Sequence, residues 1–190
     1  MQNPATSNNS DAGCSTLPII ALTMGDVAGI GPEVVVRAAA HTQLRSICHP
    51  VAVGHPDVLH RAARLTSTPL RIEEVADFET LTDWQPSLRS DTETQTLPCV
   101  KACVDDVADI PIGGIDARAG QAAYDCLVAA TQAALAGKIA GITTAPLNKA
   151  AFRAAGLDYP GHTEILGDVC GVDEFAMMLY LPPGDIVTSP

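Results

Sequence analysis

The hydrophobic positions fall into short apolar runs that alternate with longer stretches of mixed periodicity. "PIIALT" at 18–23 is an apolar run bounded by Pro18 and Gly25, long enough for a buried strand and too short for a helix. The glycine-punctuated "MGDVAGIGPE" follows, with Pro32 placed where a first helical turn tolerates it, and then the helical "EVVVRAAAH". The unit recurs: "PVAVG" at 50–54 predicts a strand, "DVLHRAARL" at 57–65 a helix and "LRIEEV" at 70–75 a strand. From Ala76 to Thr96 the text is polar and irregular, includes Trp84, and reads as a surface connection.

"LPCVKACV" at 97–104 predicts a further strand, and Gly113-Gly114 a turn into "DARAGQAAYDCLVAATQAALAGK". That alanine-rich text suits one long helix ending at Gly137. "IAGITTAP" is then a strand, "LNKAAFRAAG" a helix stopped by Gly156, and "EFAMMLYL" at 174–181 a last apolar strand. Strands apolar on both faces, alternating with helices, make an α/β protein whose mostly parallel sheet is covered by helices, an α/β/α arrangement. Residues 1–16, rich in Asn, Ser and Thr, read as a disordered leader, and the fold starts near Leu17.

Composition narrows the function classes. The 190 residues are 47% hydrophobic and 17% charged, as in a packed globular chain. Eleven basic against 22 acidic side chains give a net charge of -11, which disfavours nucleic acid and anionic membrane surfaces. A small anionic substrate is compatible with that charge, because a few donors at a helix start act locally. No apolar run approaches a membrane span and no secretory h-region opens the chain, so a cytoplasmic setting is expected. The six cysteines are scattered, the close pair Cys99 and Cys103 lacks a second pair for zinc, and all read as buried free thiols.

Three stretches carry candidate chemistry. "TMGDVAGIGPE" is a loop between a strand's carboxyl end and a helix start, where open α/β sheets bind ligands. Gly25, Gly29 and Gly31 would admit a ligand close to the backbone, or serve only a tight turn; Asp26 beside them adds a titratable group. The spacing departs from G-x-G-x-x-G, since Pro32 removes an N–H that a pyrophosphate would need. In "ITTAPLNKAAF", Thr143, Thr144 and Asn148 stand at a strand end and helix start, and the hydroxyls suit substrate contact or capping, with capping the simpler role. Lys149 reads either as a solvated helix lysine or as the cation that meets a carboxylate or phosphate.

In "YPGHTEILGD", His162 has no second histidine within helix reach, so the spacing does not suggest a metal ligand. Thr163 would cap the next helix, Glu164 would favour its positive end, and His162 with Thr163 would form a donor pair for an anionic substrate. Asp26 and Lys149 are the catalytic candidates.

Taken in order, "LTMGDVAGIGPEVVVRA", "GITTAPLNKAAFRAAGLDYPGHTEIL" and "FAMMLY" resemble the amino-terminal half of the 4-hydroxythreonine-4-phosphate dehydrogenase family, over about Leu17 to Leu181. The resemblance implies a two-domain fold related to isocitrate and isopropylmalate dehydrogenases, of which 17–190 would be the amino-terminal part. It also implies a homodimer with the active site at its interface, NAD or NADP, and a divalent metal such as Zn, Mg or Co. Family members oxidise 4-phosphooxy-L-threonine to a 3-oxo acid that decarboxylates to 3-amino-2-oxopropyl phosphate, for pyridoxal phosphate biosynthesis. A sister group acts on D-threonate or D-erythronate 4-phosphate.

By position, the family's GHTE motif puts His162 and Thr163 on the substrate. The family's metal histidines are expected beyond Pro190, since His41, His49, His55 and His60 match none of them. Residues 1–190 alone are therefore expected to be inactive, and a non-catalytic binding module is the rival reading from another class.

Overall fold

The computed structural model describes residues 17–81, 95–103 and 107–180. The leader assigned to 1–16, Trp84 and Cys14 lie outside them. In chain order the elements are β1 (Ile19–Thr23), α1 (Gly31–Ala39), α2 (Thr42–Arg45), β2 (His49–Gly54), α3 (Pro56–Leu65), β3 (Leu70–Val75) and β4 (Gln95–Lys101). They continue with α4 (Ala117–Leu135), β5 (Gly141–Thr144), α5 (Lys149–Ala154) and α6 (His162–Cys170).

Five strands form one sheet in the order β3-β4-β2-β1-β5, and every pairing is parallel. Parallel neighbours need crossovers, which the helices supply. Pro50 to Gly54 of β2 are all buried, so the centre of the sheet is covered on both faces, as its uninterrupted apolar run anticipates. On one side α1 and α3 pack together; on the other α4 crosses β1, β2 and β5 and carries α5 and α6. Val35, Val36 and Ala39 turn inward from α1, and Val58, Leu59, Ala62 and Ala63 from α3, at the spacing of one helical face. A second, smaller apolar cluster of Ala123, Leu127, Phe152 and Ile165 joins α4, α5 and α6.

Two predicted stops are seen as left-handed glycines, Gly137 (φ 72°) after α4 and Gly156 (φ 77°) after α5. Other expectations change. The strand over 174–181 is not formed: residues 174–180 are irregular and exposed, Leu181 lies outside the described residues, and no described strand runs beside the segment to take up its ladder hydrogen bonds. Part of the surface connection is core, since Phe78 and Leu81 are buried and β4 already begins at Gln95. Cysteines 48, 99, 103 and 126 are buried thiols, but Cys170, at the end of α6 on its outer side, is exposed. Among the described residues no helix is long and apolar enough to cross a membrane.

Candidate substrate site

The neighbouring strands β1 and β5 lead into helices on opposite faces of the sheet, α1 on one and α5 on the other. In open α/β sheets such a reversal places ligands outside the carboxyl ends of the two strands. Thr23 and Thr144 pair at this edge, so the loops after both strands start side by side. Backbone hydrogen bonds tie them: Asp26 N–H donates to the Pro146 carbonyl at 3.0 Å, and Ala145 N–H to the Thr23 carbonyl at 3.2 Å.

Glycine is required at two points of this junction. Gly25 has φ 68°, and a side chain there would run into the Pro146 carbonyl oxygen. A side chain on Gly31 would meet the Met24 carbonyl oxygen and the Ala145 methyl. The glycine loop is thus pressed against the loop after β5. Asp26 is buried, and its Oδ1 accepts the Ala28 N–H at 3.0 Å, which shapes the turn. Glu33, in the first turn of α1, keeps Oε2 shut off from solvent with no hydrogen-bond partner among the described residues.

On the β5 side, Thr143 and Thr144 lie in the strand itself and do not cap α5, contrary to the expectation for their hydroxyls. Asn148 is the cap: its Oδ1 accepts from Ala150 N–H at 2.9 Å and Ala151 N–H at 3.3 Å. Lys149 is the first residue of α5 and is exposed.

His162 lies beside the same junction, close enough for the Ala145 backbone to act on its ring. Half-burial pushes its pKa below the ordinary histidine value, and the Ala145 hydrogen bond partly opposes that. Thr163 does not cap α6: the cap residue is Gly161 in an extended conformation, His162 and Thr163 already belong to the first turn, and Glu164 lies in that turn as expected. A neutral imidazole carries one N–H donor and one acceptor nitrogen, and on protonation both become donors to an anion.

The structure therefore brings together Gly25, Asp26, Gly31 and His162 around Ala145 and Pro146. Lys149 follows three residues after Pro146, as the first residue of α5, and is exposed. The linking carbonyls of Ala145 and Pro146 could not be singled out from sequence, because every residue carries one.

Among the described residues no group of three or more His, Cys, Asp or Glu side chains could hold a metal ion. The glycine loop also lacks the dinucleotide spacing.

A family model described as "Pyridoxal phosphate biosynthetic protein PdxA" matches residues 46–186. A D-threonate 4-phosphate dehydrogenase of Cupriavidus necator is 37% identical over 87% of this chain and 47% of its own length. A 4-hydroxythreonine-4-phosphate dehydrogenase of Trichlorobacter lovleyi is 35% identical over 90% of this chain and 47% of its own. The crystal structure of a 4-hydroxythreonine-4-phosphate dehydrogenase from Burkholderia phymatum superposes with a TM-score of 0.75 at 40% identity, covering 87% of this chain and 47% of that one. The chain spans about half the length of these relatives. With the family model matching most of its residues and the fold shared with a solved member, the chain belongs to the PdxA family.

Proposed function

We propose that residues 17–190 form the amino-terminal, substrate-facing part of a nicotinamide-dependent dehydrogenase that oxidises a phosphorylated hydroxy acid. The observation that carries this reading is the meeting of the loops after β1 and β5, beside the start of α6, where the Ala145 backbone acts on the His162 ring. Around that point the chain offers what an anionic substrate needs: an imidazole that can become a donor, the hydroxyl of Thr163, the first turn of α6, and the cation Lys149 nearby. His162 and Thr163 hold and orient the substrate in this reading. Asp26 shapes the glycine loop, and Lys149 balances charge.

In this reading NAD or NADP is the acceptor, a divalent metal is held by residues beyond Pro190, and the complete protein is a cytoplasmic homodimer. Two substrates follow from the names of the relatives: 4-phosphooxy-L-threonine, leading toward pyridoxal phosphate, and D-threonate 4-phosphate. The complete gene product, supplied with divalent metal and each nicotinamide nucleotide, is expected to form reduced nucleotide with one of the two. Lack of turnover on both would overturn the proposal.

A further inference from the structure

We propose that Arg61 is a positioning residue for the substrate wall, its guanidinium locking the glycine loop after β1 onto the loop that precedes α4. The inference rests on the proposed substrate site for its functional consequence, but the clamp itself is a matter of geometry. Arg61 Nη1 donates to the carbonyls of Ala108 at 2.8 Å and Ile110 at 3.2 Å, and Nη2 donates to the carbonyl of Val27 at 3.1 Å. Three backbone oxygens from two loops thus converge on one planar donor fork, which a lysine or a neutral side chain cannot reproduce.

The base of the clamp is rigid. Arg61 projects from α3, whose Val58, Leu59 and Ala62 are buried in the main core. A second tie runs in parallel, Gly113 N–H to the Ala28 carbonyl at 2.7 Å. Within the glycine loop the amides of Ala28 and Gly29 are taken by Asp26, through its Oδ1 and its carbonyl respectively. The Val27 and Ala28 carbonyls are held from outside by Arg61 and Gly113. Asp26 is joined to Pro146 and so to the loop that meets His162. Arg61 therefore acts on the substrate wall from behind, through backbone, and touches no substrate itself. A side chain placed this way sets how far the glycine loop can retreat from the proposed substrate site, and small retreats are costly for binding.

The test has two readouts. Hydrogen exchange compares the parent chain with Arg61→Ala and Arg61→Lys, following the amides of Ala28, Gly29 and Gly113 against those of Leu127 and Phe152 in the helical layer. We expect the first three to exchange about tenfold faster in Arg61→Ala, with the last two unchanged, because hydrogen bonds to a charged group are lost locally. Arg61→Lys should fall between, and millimolar methylguanidinium should restore part of the protection in Arg61→Ala.

In the complete gene product, KM for the phosphorylated acid should rise about tenfold with kcat changed less than about threefold. Unchanged loop amides, or loosened amides with unchanged KM, would overturn the proposal. Should Arg61→Ala fail to fold, Arg61→Lys decides on the same readouts. A parent enzyme with no turnover on either substrate would instead refute the proposed function, and the exchange data alone would then judge the clamp.

Discussion

The junction between β1 and β5 and the segment 172–180 look alike in sequence, both being apolar text broken by glycine or acidic residues, yet they end up in opposite states. At the junction Met24, Val27, Ala28 and Ala145 are buried, and the backbone is held from several directions. In the segment, Met178 is 87% and Leu179 88% exposed. Phe175 still lies against Gly167 of α6, and residues 176–180 after it are exposed. The difference lies in the partners. A loop between two paired strands has its surroundings defined by the sheet, whereas an apolar strand needs another strand that its own residues do not specify. Apolar pattern states that a residue belongs inside without stating inside what.

The sharpest way to break this comparison is to add one methyl group at a glycine of the junction. In Gly31→Ala the new Cβ would press on the Met24 carbonyl and the Ala145 methyl, both of which are fixed by the sheet. We expect a loss of about 3 kcal/mol or more, since overpacking against backbone cannot be relieved by a rotamer change. Gly156→Ala meets open space and costs only its left-handed backbone, about 1 kcal/mol. Urea unfolding of the two variants measures both; equal losses would show that the junction is looser than its hydrogen bonds imply.

The same contrast explains what could be read from the chain beforehand. The strands β1, β2 and β3 and the helices α1, α3, α4 and α5 follow local apolar periodicity, and they begin and end within a few residues of expectation. Gly137 and Gly156 stop their helices for a reason visible in a single residue. Reading fails where the answer depends on one peptide unit or a distant neighbour. Pro160 and Gly161 put the extended cap one residue ahead of His162, which displaces Thr163 into the helix. Asn148 outcompetes the two threonines because β5 retains them. The short α2 has no buried residue and hence no apolar stripe to announce it. That the loops after β1 and β5 would lie on one edge was legible, since loops at strand carboxyl ends gather there in a parallel sheet, whereas the loop before α6 follows a helix and gave no such signal. The fastening by the carbonyls of Ala145 and Pro146 was not legible either.

The junction can be sharpened further through His162. Its pKa is lowered in the free protein, mainly by burial, so the folded state favours the neutral ring. For stability the sign is that of a depressed group: its contribution is present above the unfolded value of about 6.5 and is lost as pH falls through the lower folded value. An anionic ligand reverses the balance by favouring imidazolium, so binding should raise the His162 pKa and take up a proton. NMR titration of the ring with and without the phosphorylated acid should show an upward shift. His162→Gln should weaken binding by about one to two decades and remove the proton uptake that the ring supplies. A ring pKa that does not move on ligand saturation would remove His162 from the substrate contacts.

The smallest expected effect comes from the other side of the comparison. Met178 and Leu179 make almost no contact with the folded body, so Met178→Ser and Leu179→Ser together should change unfolding free energy by less than about 0.5 kcal/mol, the range of ordinary surface substitutions. The same pair in a packed strand would cost several kcal/mol, because each buried side chain of that size contributes about 1.5 to 3 kcal/mol. Urea unfolding of residues 1–190 therefore reports whether the segment is docked. Exposed contiguous apolar surface also promotes association, so the double variant should sediment closer to a monomer than the parent at equal concentration. A large loss of stability would mean that residues 172–180 have a partner in solution and that the two regions are less different than their burial indicates.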